Sequence, residues 1–203
     1  RMPRLSSSML RIAVASTGRV TNFGNAYVPL LTAGIERLAI DSGDGDDAIS
    51  VATDNPFEAI EVSAGDPSAS DRLVLAGAAD TAETITIQPN AADSRKQDIF
   101  GLNSALTASG VEVISYTGVA DGLGAADDTL VVDPLFGAAM RVDSAPLADV
   151  DRVTSDSLPE IQFTGLQTFR AALHGTNAYT ATFVPTGLFG AAAYEVAATG
   201  PGK

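Results

Sequence analysis

Short segments of alternating apolar residues return along the chain every 11 to 13 residues, and no other feature restricts the fold as tightly. Leu38-Ile40, Ile49-Val51, Ile60-Val62, Leu73-Leu75 and Ile85-Ile87 start 11, 11, 13 and 12 residues apart. Alternation over so few positions suits a strand with one buried face. Glycine- and aspartate-rich turn clusters at residues 42–47, 53–56, 64–71 and 77–81 separate these segments. No stretch keeps a 3.6-residue apolar period over three turns; residues 166–173 come nearest and are short. The spacing predicts an all-β chain.

Within that class the rhythm predicts a parallel β-solenoid of short strands, a β-helix or β-roll, with an elongated β-sandwich as the alternative. Residues 34–51, GIERLAIDSGDGDDAISV, return about 76 positions later as GVEVISYTGVADGLGAADDTLVV, and more loosely as AIEVSAGDPSASDRLVL over residues 59–75. Residues 88–109 interrupt the period and read as an inserted loop with one helical turn. Three regions are expected. Residues 1–33 form N-terminal strands that cap the stack or donate a strand to a neighbour. Residues 34–168 form the solenoid, and residues 169–203 form C-terminal strands or a cap. Terminal coils leave unpaired edges, which invite pairing with another chain, and 10–15 is the candidate donor strand.

Charge and composition exclude several partners. The net charge is −13, with only Lys96 and Lys203 as lysines, so nucleic acid and anionic lipid would be repelled. Nineteen glycines suit a chain with many turns, and small residues suit a narrow, layered interior. The absence of cysteine removes disulfides and thiolate metal sites. No apolar run approaches the roughly 20 residues needed to span a bilayer as a helix. The segment RMPRLSSSML at the start reads as a processed or excised piece, not an intact signal peptide.

The acidic turns are the candidate metal sites. Ser42-Gly43-Asp44-Gly45-Asp46-Asp47-Ala48-Ile49-Ser50 resembles the calcium-binding nonapeptide G-G-x-G-x-D-x-U-x of bacterial RTX β-rolls, matching at Gly43, Gly45, Asp47 and Ile49. The resemblance implies calcium at Asp44, Asp46 and Asp47, with Asp47 at the motif's ligand position. The second copy, at Asp127 and Asp128, keeps Gly124, Asp128 and Leu130 but has Ala126 where glycine belongs. No second nonapeptide follows the first at nine residues, and consecutive repeats are what let RTX turns share each ion. The competing reading is that these aspartates cap turns by accepting backbone N–H groups.

The larger unit, G-[IV]-E-x-[LI]-x-[IVY], an acidic glycine turn and D-D-[AT]-[IL]-x-V, resembles degenerate repeats of very large secreted bacterial surface and adhesin-like proteins. It covers residues 34–168. That resemblance implies a structural role and an extracellular address, and brings no catalytic residue.

Catalytic patterns are missing. His174 is the one histidine, no Gly-x-Ser-x-Gly elbow is present, and there is no H-E-x-x-H, P-loop or dinucleotide fingerprint. Carbohydrate-active β-helices work through paired carboxylates, and Arg95 or Lys96 beside Asp93 and Asp98 is where such a site would be sought. The absence of tryptophan leaves few platforms for sugar stacking. The expected role is therefore non-enzymatic: a self-associating subunit or segment of a bacterial surface filament, sheath or layer. The alternative is an adhesin stalk or a calcium-dependent module that binds a glycan or cell-surface ligand.

Overall fold

The structure, a computed structural model, describes residues 11–15, 17–22, 30–31, 34–65, 70–79, 81–119, 127–134, 139–146, 149–174, 180–184 and 190–199. In chain order these form β1 (Arg11–Val14), β2 (Arg19–Asn22), β3 (Leu30–Leu31), β4 (Arg37–Asp41), β5 (Ala48–Ala52) and β6 (Ala59–Ser63). Then come β7 (Arg72–Ala76), β8 (Thr84–Pro89), β9 (Lys96–Phe100), β10 (Ala105–Ser109), β11 (Val113–Thr117) and β12 (Thr129–Val132). The last are β13 (Ala139–Ser144), β14 (Asp151–Ser155), β15 (Leu158–Thr164), β16 (Leu166–His174), β17 (Thr180–Phe183) and β18 (Ala191–Thr199). No helix occurs among the described residues, so none there is long and apolar enough to cross a membrane.

The chain is all-β, with two mixed sheets and no closed barrel. The first sheet runs β17-β13-β14-β15-β11-β7-β5-β1-β2-β3, and the second β18-β16-β12-β8-β9-β10-β6-β4. From β4 to β8 each strand passes to the other sheet, which places β5 beside β7 and β4 beside β6 in parallel. Three times the chain instead stays in one sheet for an antiparallel meander: β1-β2-β3, β8-β9-β10 and β13-β14-β15. β8 and β13 each begin two places ahead in the stack and their meanders fill the gap by stepping back, whereas β1-β2-β3 runs outward from β5 to the edge of the first sheet. These reversals are why the expected purely parallel coil does not form.

Residues 88–109, read from sequence as a loop with a helical turn, supply β9 and β10. The physical reason lies in β9, Lys-Gln-Asp-Ile-Phe, where Gln97 and Ile99 are the buried pair and a polar residue breaks the visible alternation. Residues 166–173, the nearest approach to a helical period, lie in β16, which also runs through the expected boundary at 168/169. Of the candidate donor strand 10–15, residues 11–14 form β1, engaged on one edge by β2 and on the other by β5, and residue 10 lies outside the described residues.

In-register pairing stacks like residues on like. Ile12, Ile49, Leu73, Ile114 and Ile161 form one row of the first sheet, and Val14, Val51, Leu75, Tyr116 and Phe163 the next. In the second sheet a row runs Leu38, Ile60, Leu106, Ile99, Ile87, Val132, Ala171 and Val196. Rows from both sheets join one core that extends from Val14 to Ala171. Each fully buried Ile or Leu there contributes about 1.5–3 kcal/mol.

The 76-residue repeat takes on a specific meaning. Residues 34–51 carry the chain from β4 in the second sheet to β5 in the first, whereas the second copy carries it from β11 in the first sheet to β12 in the second. What repeats is a crossing, and it works in either direction.

Candidate functional site

Acidic residues stand immediately before the strands at these crossings: Asp47 before β5, Asp71 before β7, Glu112 before β11, Glu83 before β8 and Asp128 before β12. Stacking places them in columns, and each column runs on the same hydrogen bond. The N–H of Asp47 donates to Asp71 Oδ1 at 2.7 Å, and the N–H of Asp71 donates to Glu112 Oε2 at 2.6 Å. On the other kind of crossing the N–H of Glu83 donates to Asp128 Oδ1 at 3.0 Å, while Val119 N–H reaches Asp128 Oδ2 at 3.1 Å. A carboxylate of one layer thus satisfies a backbone donor of the layer before it, which a corner cannot do through the ladder alone.

Asp71 is the most perturbed of these groups. It is fully buried, and its Oδ2 has no hydrogen-bond partner. Burial pushes its pKa up to about 6, with the charges of Glu112, Asp47 and Asp46 adding to the rise and the Asp47 N–H opposing it. Tyr116, buried in the core, donates to Glu83 Oε2 at 3.2 Å, and burial with the nearby Asp128 and Glu83 charges raises its hydroxyl pKa strongly. At the far end the Tyr194 hydroxyl is bonded to Asp151 Oδ2, which also accepts the Gly190 N–H at 2.9 Å.

The sequence-derived metal residues divide between these columns and solvent. Asp44 and Asp127 are exposed. Asp46 is exposed too, and its Oδ1 accepts the Ser70 N–H at 3.1 Å. Asp47 and Asp128 are buried. The two sets belong to opposite crossings, so the fold does not bring Asp44, Asp46 and Asp47 together with Asp127 and Asp128. No group of three or more His, Asp or Glu side chains among the described residues is arranged to hold a metal ion. Asp71, Glu83, Glu112 and Asp151 are not among the sequence-derived metal residues, although Asp71 closes the acidic turn of the looser copy over residues 59–75. Their common signal, for the first three, is an acid directly before an alternating strand.

The second site lies where Arg95 and Lys96 pointed. The turn between β8 and β9 is built by Asn90, whose Oδ1 accepts the N–H groups of Ala92 and Asp93 at 2.9 Å each. Its Nδ2 donates to both oxygens of Asp98, at 3.0 and 2.9 Å, and Thr107 Oγ1 donates to Asp98 Oδ1 at 3.1 Å. A cavity of about 730 Å³ opens on the outer face of the second sheet beside this turn, lined by Arg37, Ala39, Glu61, Asn90, Lys96 and Thr107. A smaller one of about 530 Å³ lies against Gly65, Arg95, Ser109, Gly110 and Glu112, and Asp93 and Lys96 border both. Lys96 Nζ is paired with Glu61 at 3.0 Å, and Arg95 with Asp93 at 3.0 Å, which holds the Asp93 carboxyl below its ordinary range. The linings mix apolar with polar side chains, are balanced in charge, contain no aromatic ring, and present no nucleophile beside a base.

No family model, curated protein or solved structure matches the chain.

Proposed function

We propose that the chain is an extracellular structural protein, a subunit or segment of a bacterial surface filament, sheath or layer, built as a solenoid-like stack with meander insertions. The observation that carries this reading is the use made of the acids at the crossings, Asp71 and Asp128 buried and Glu112 half-buried. At the crossings, where an enzyme would aim them at a substrate, Asp71, Glu112 and Asp128 accept N–H groups of the preceding layer. Groups used this way stiffen a rod and perform no chemistry. No enzymatic activity enters this reading. Light scattering and negative-stain electron microscopy over a concentration series test it: ordered filaments or sheets are expected, and a monodisperse monomer at every concentration overturns it.

The two cavities beside the β8–β9 turn favour a second reading, an adhesin stalk or ligand-binding module whose ligand is a polar, uncharged molecule such as a glycan. Glycan-array binding lost in Asn90→Ala and Lys96→Ala variants supports it; no binding to any glycan removes it. Calcium at Asp44, Asp46 and Asp47 belongs to this second reading. A fall in melting temperature on chelation supports it, and an unchanged value assigns these carboxylates to turn capping alone.

A further inference from the structure

We infer that the outer face of the second sheet carries a binding trough for a linear, neutral oligosaccharide, running across the strands from Arg37 on β4 to Phe100 on β9. This rests on the ligand-binding reading and names both the ligand and its platform. The first observation is the floor. Arg37 pairs with Ala59 and Ala59 with Ala105; Leu106 pairs with Ile99, so Ala105 and Phe100 are the next partners in the same outward row. Alanine is a weak strand former, and on a solvent-facing position it makes little cross-strand contact. What the alanines leave is room. Ala59 and Ala105, with Ala39 in the next row, floor the cavity of about 730 Å³. Beyond Phe100 the row continues with Thr86, Val131 and Arg170, all larger, and none of these lines the cavity.

The second observation is the platform. Phe100 is 46 % exposed, the one exposed aromatic side chain among the described residues. It stands at the end of the alanine floor, three strand spacings from Arg37, a span of roughly 14 Å. A ring continued by methyl groups gives the C–H face of a sugar an apolar strip to lie on, which the absence of tryptophan denies the chain elsewhere.

The third observation is the polar groups along this strip. Lys96 reaches over β10 to Glu61. One contact at 3.0 Å leaves the other ammonium donors and Glu61 Oε2 for hydroxyl groups. Arg37 makes no hydrogen bond or ion pair with any described residue, so its guanidinium is held ready for ligand oxygens. An apolar face edged with hydroxyls fits such a strip. A peptide strand does not, since over a sheet face its N–H and C=O groups find no ladder. Neutrality follows from charge. Lys96 and Asp93 are already paired, with Glu61 and Arg95, and a chain of net charge −13 repels a polyanion.

Isothermal titration calorimetry with linear glucose, mannose and N-acetylglucosamine oligomers, from disaccharide to hexasaccharide, tests this. At least one series should bind, its affinity rising with length until the trough is spanned and then levelling off. Phe100→Ala and Arg37→Met should each weaken binding roughly tenfold. Ala105→Leu fills the floor from an exposed position, so it should remove binding at an unchanged melting temperature. Circular dichroism checks that each variant folds. A hexamer of uronic acid should bind more weakly than the neutral hexamers; tighter binding overturns the neutral assignment. Binding of a neutral series that ignores all three substitutions overturns the trough while leaving the ligand-binding reading intact. No binding by any of the three series also overturns the trough, whereas only silence across a full glycan array overturns the reading beneath it.

Discussion

Asp71 concentrates the electrostatic cost of the corner columns in a single carboxyl. An aspartate whose pKa rises on folding, here from the ordinary 3.8 to about 6, binds more protons in the folded state than in the unfolded one between those values. Its contribution is therefore fully present below about pH 4 and is lost as pH climbs through 6. We expect the melting temperature to fall between pH 4.5 and 7, by an amount on the order of 2 kcal/mol in stability. Asp71→Asn keeps an oxygen for the Asp47 N–H and removes the charge, so it should flatten that slope and stabilise the chain at pH 7. A denaturation series in both proteins checks this, and an unchanged slope in the variant assigns the pH dependence elsewhere. Gly65 is the steric counterpart. Its φ is +97°, and a Cβ there would stand 1.8 Å from the carbonyl oxygen of Gly43 in the neighbouring layer. Gly65→Ala should cost about 3 kcal/mol or more, measured by chemical denaturation, because neither backbone can yield without moving its whole layer.

At the scale of elements, β9 shows what alternation can and cannot reveal. Gln97 occupies an inward position between Ala108 of β10 and Pro89 of β8, and its Oε1 has no hydrogen-bond partner. Gln97→Met keeps the length and removes the unsatisfied oxygen, so a gain of about 1 kcal/mol is expected from thermal or denaturant unfolding. The same residue explains why β9 and β10 were not legible. β4 to β8 were, because Leu38 and Ile40, Ile49 and Val51, Ile60 and Val62 and their successors alternate without interruption. Which sheet a strand joins is absent from the pattern, since inward Val, Ile and Leu serve both sheets alike. The meanders were hidden for the same reason: an antiparallel return and a parallel crossing ask for identical alternation. For the acids, sequence marked Asp47 and Asp128 through their glycine turns, reached Asp71 only in the looser copy over residues 59–75, and passed over Glu83 and Glu112. The roles of Asp71 and Glu112 depend on a backbone donor more than 20 residues away in the chain, which no local motif records, and Glu83, which accepts the nearby Ala78 N–H, also meets the Tyr116 hydroxyl 33 residues away.

For the whole molecule, one core from Val14 to Ala171 makes the chain a single unit. A chain ending at residue 168 cuts through β16 and uncovers Leu130 and Val132, so it should lose its cooperative transition in calorimetry; retention of that transition would divide the chain into independent parts. The back-stepping meanders carry a consequence for synthesis. As the chain leaves the ribosome, β8 is made before β9 and β10, so it must wait, two berths down the dock, until the intervening places are filled from behind. Parallel crossings close loops of 20 residues or more, while a meander closes within a handful, and short closures are quick. Growth is then a series of locally made rafts, each moored to the last, and pulse-labelled hydrogen exchange should find β8–β10 and β13–β15 protected ahead of β5, β7 and β11. A chain assembled in rafts exposes its unfinished edge only in brief intervals, which shortens the time in which an unpaired strand can capture another chain.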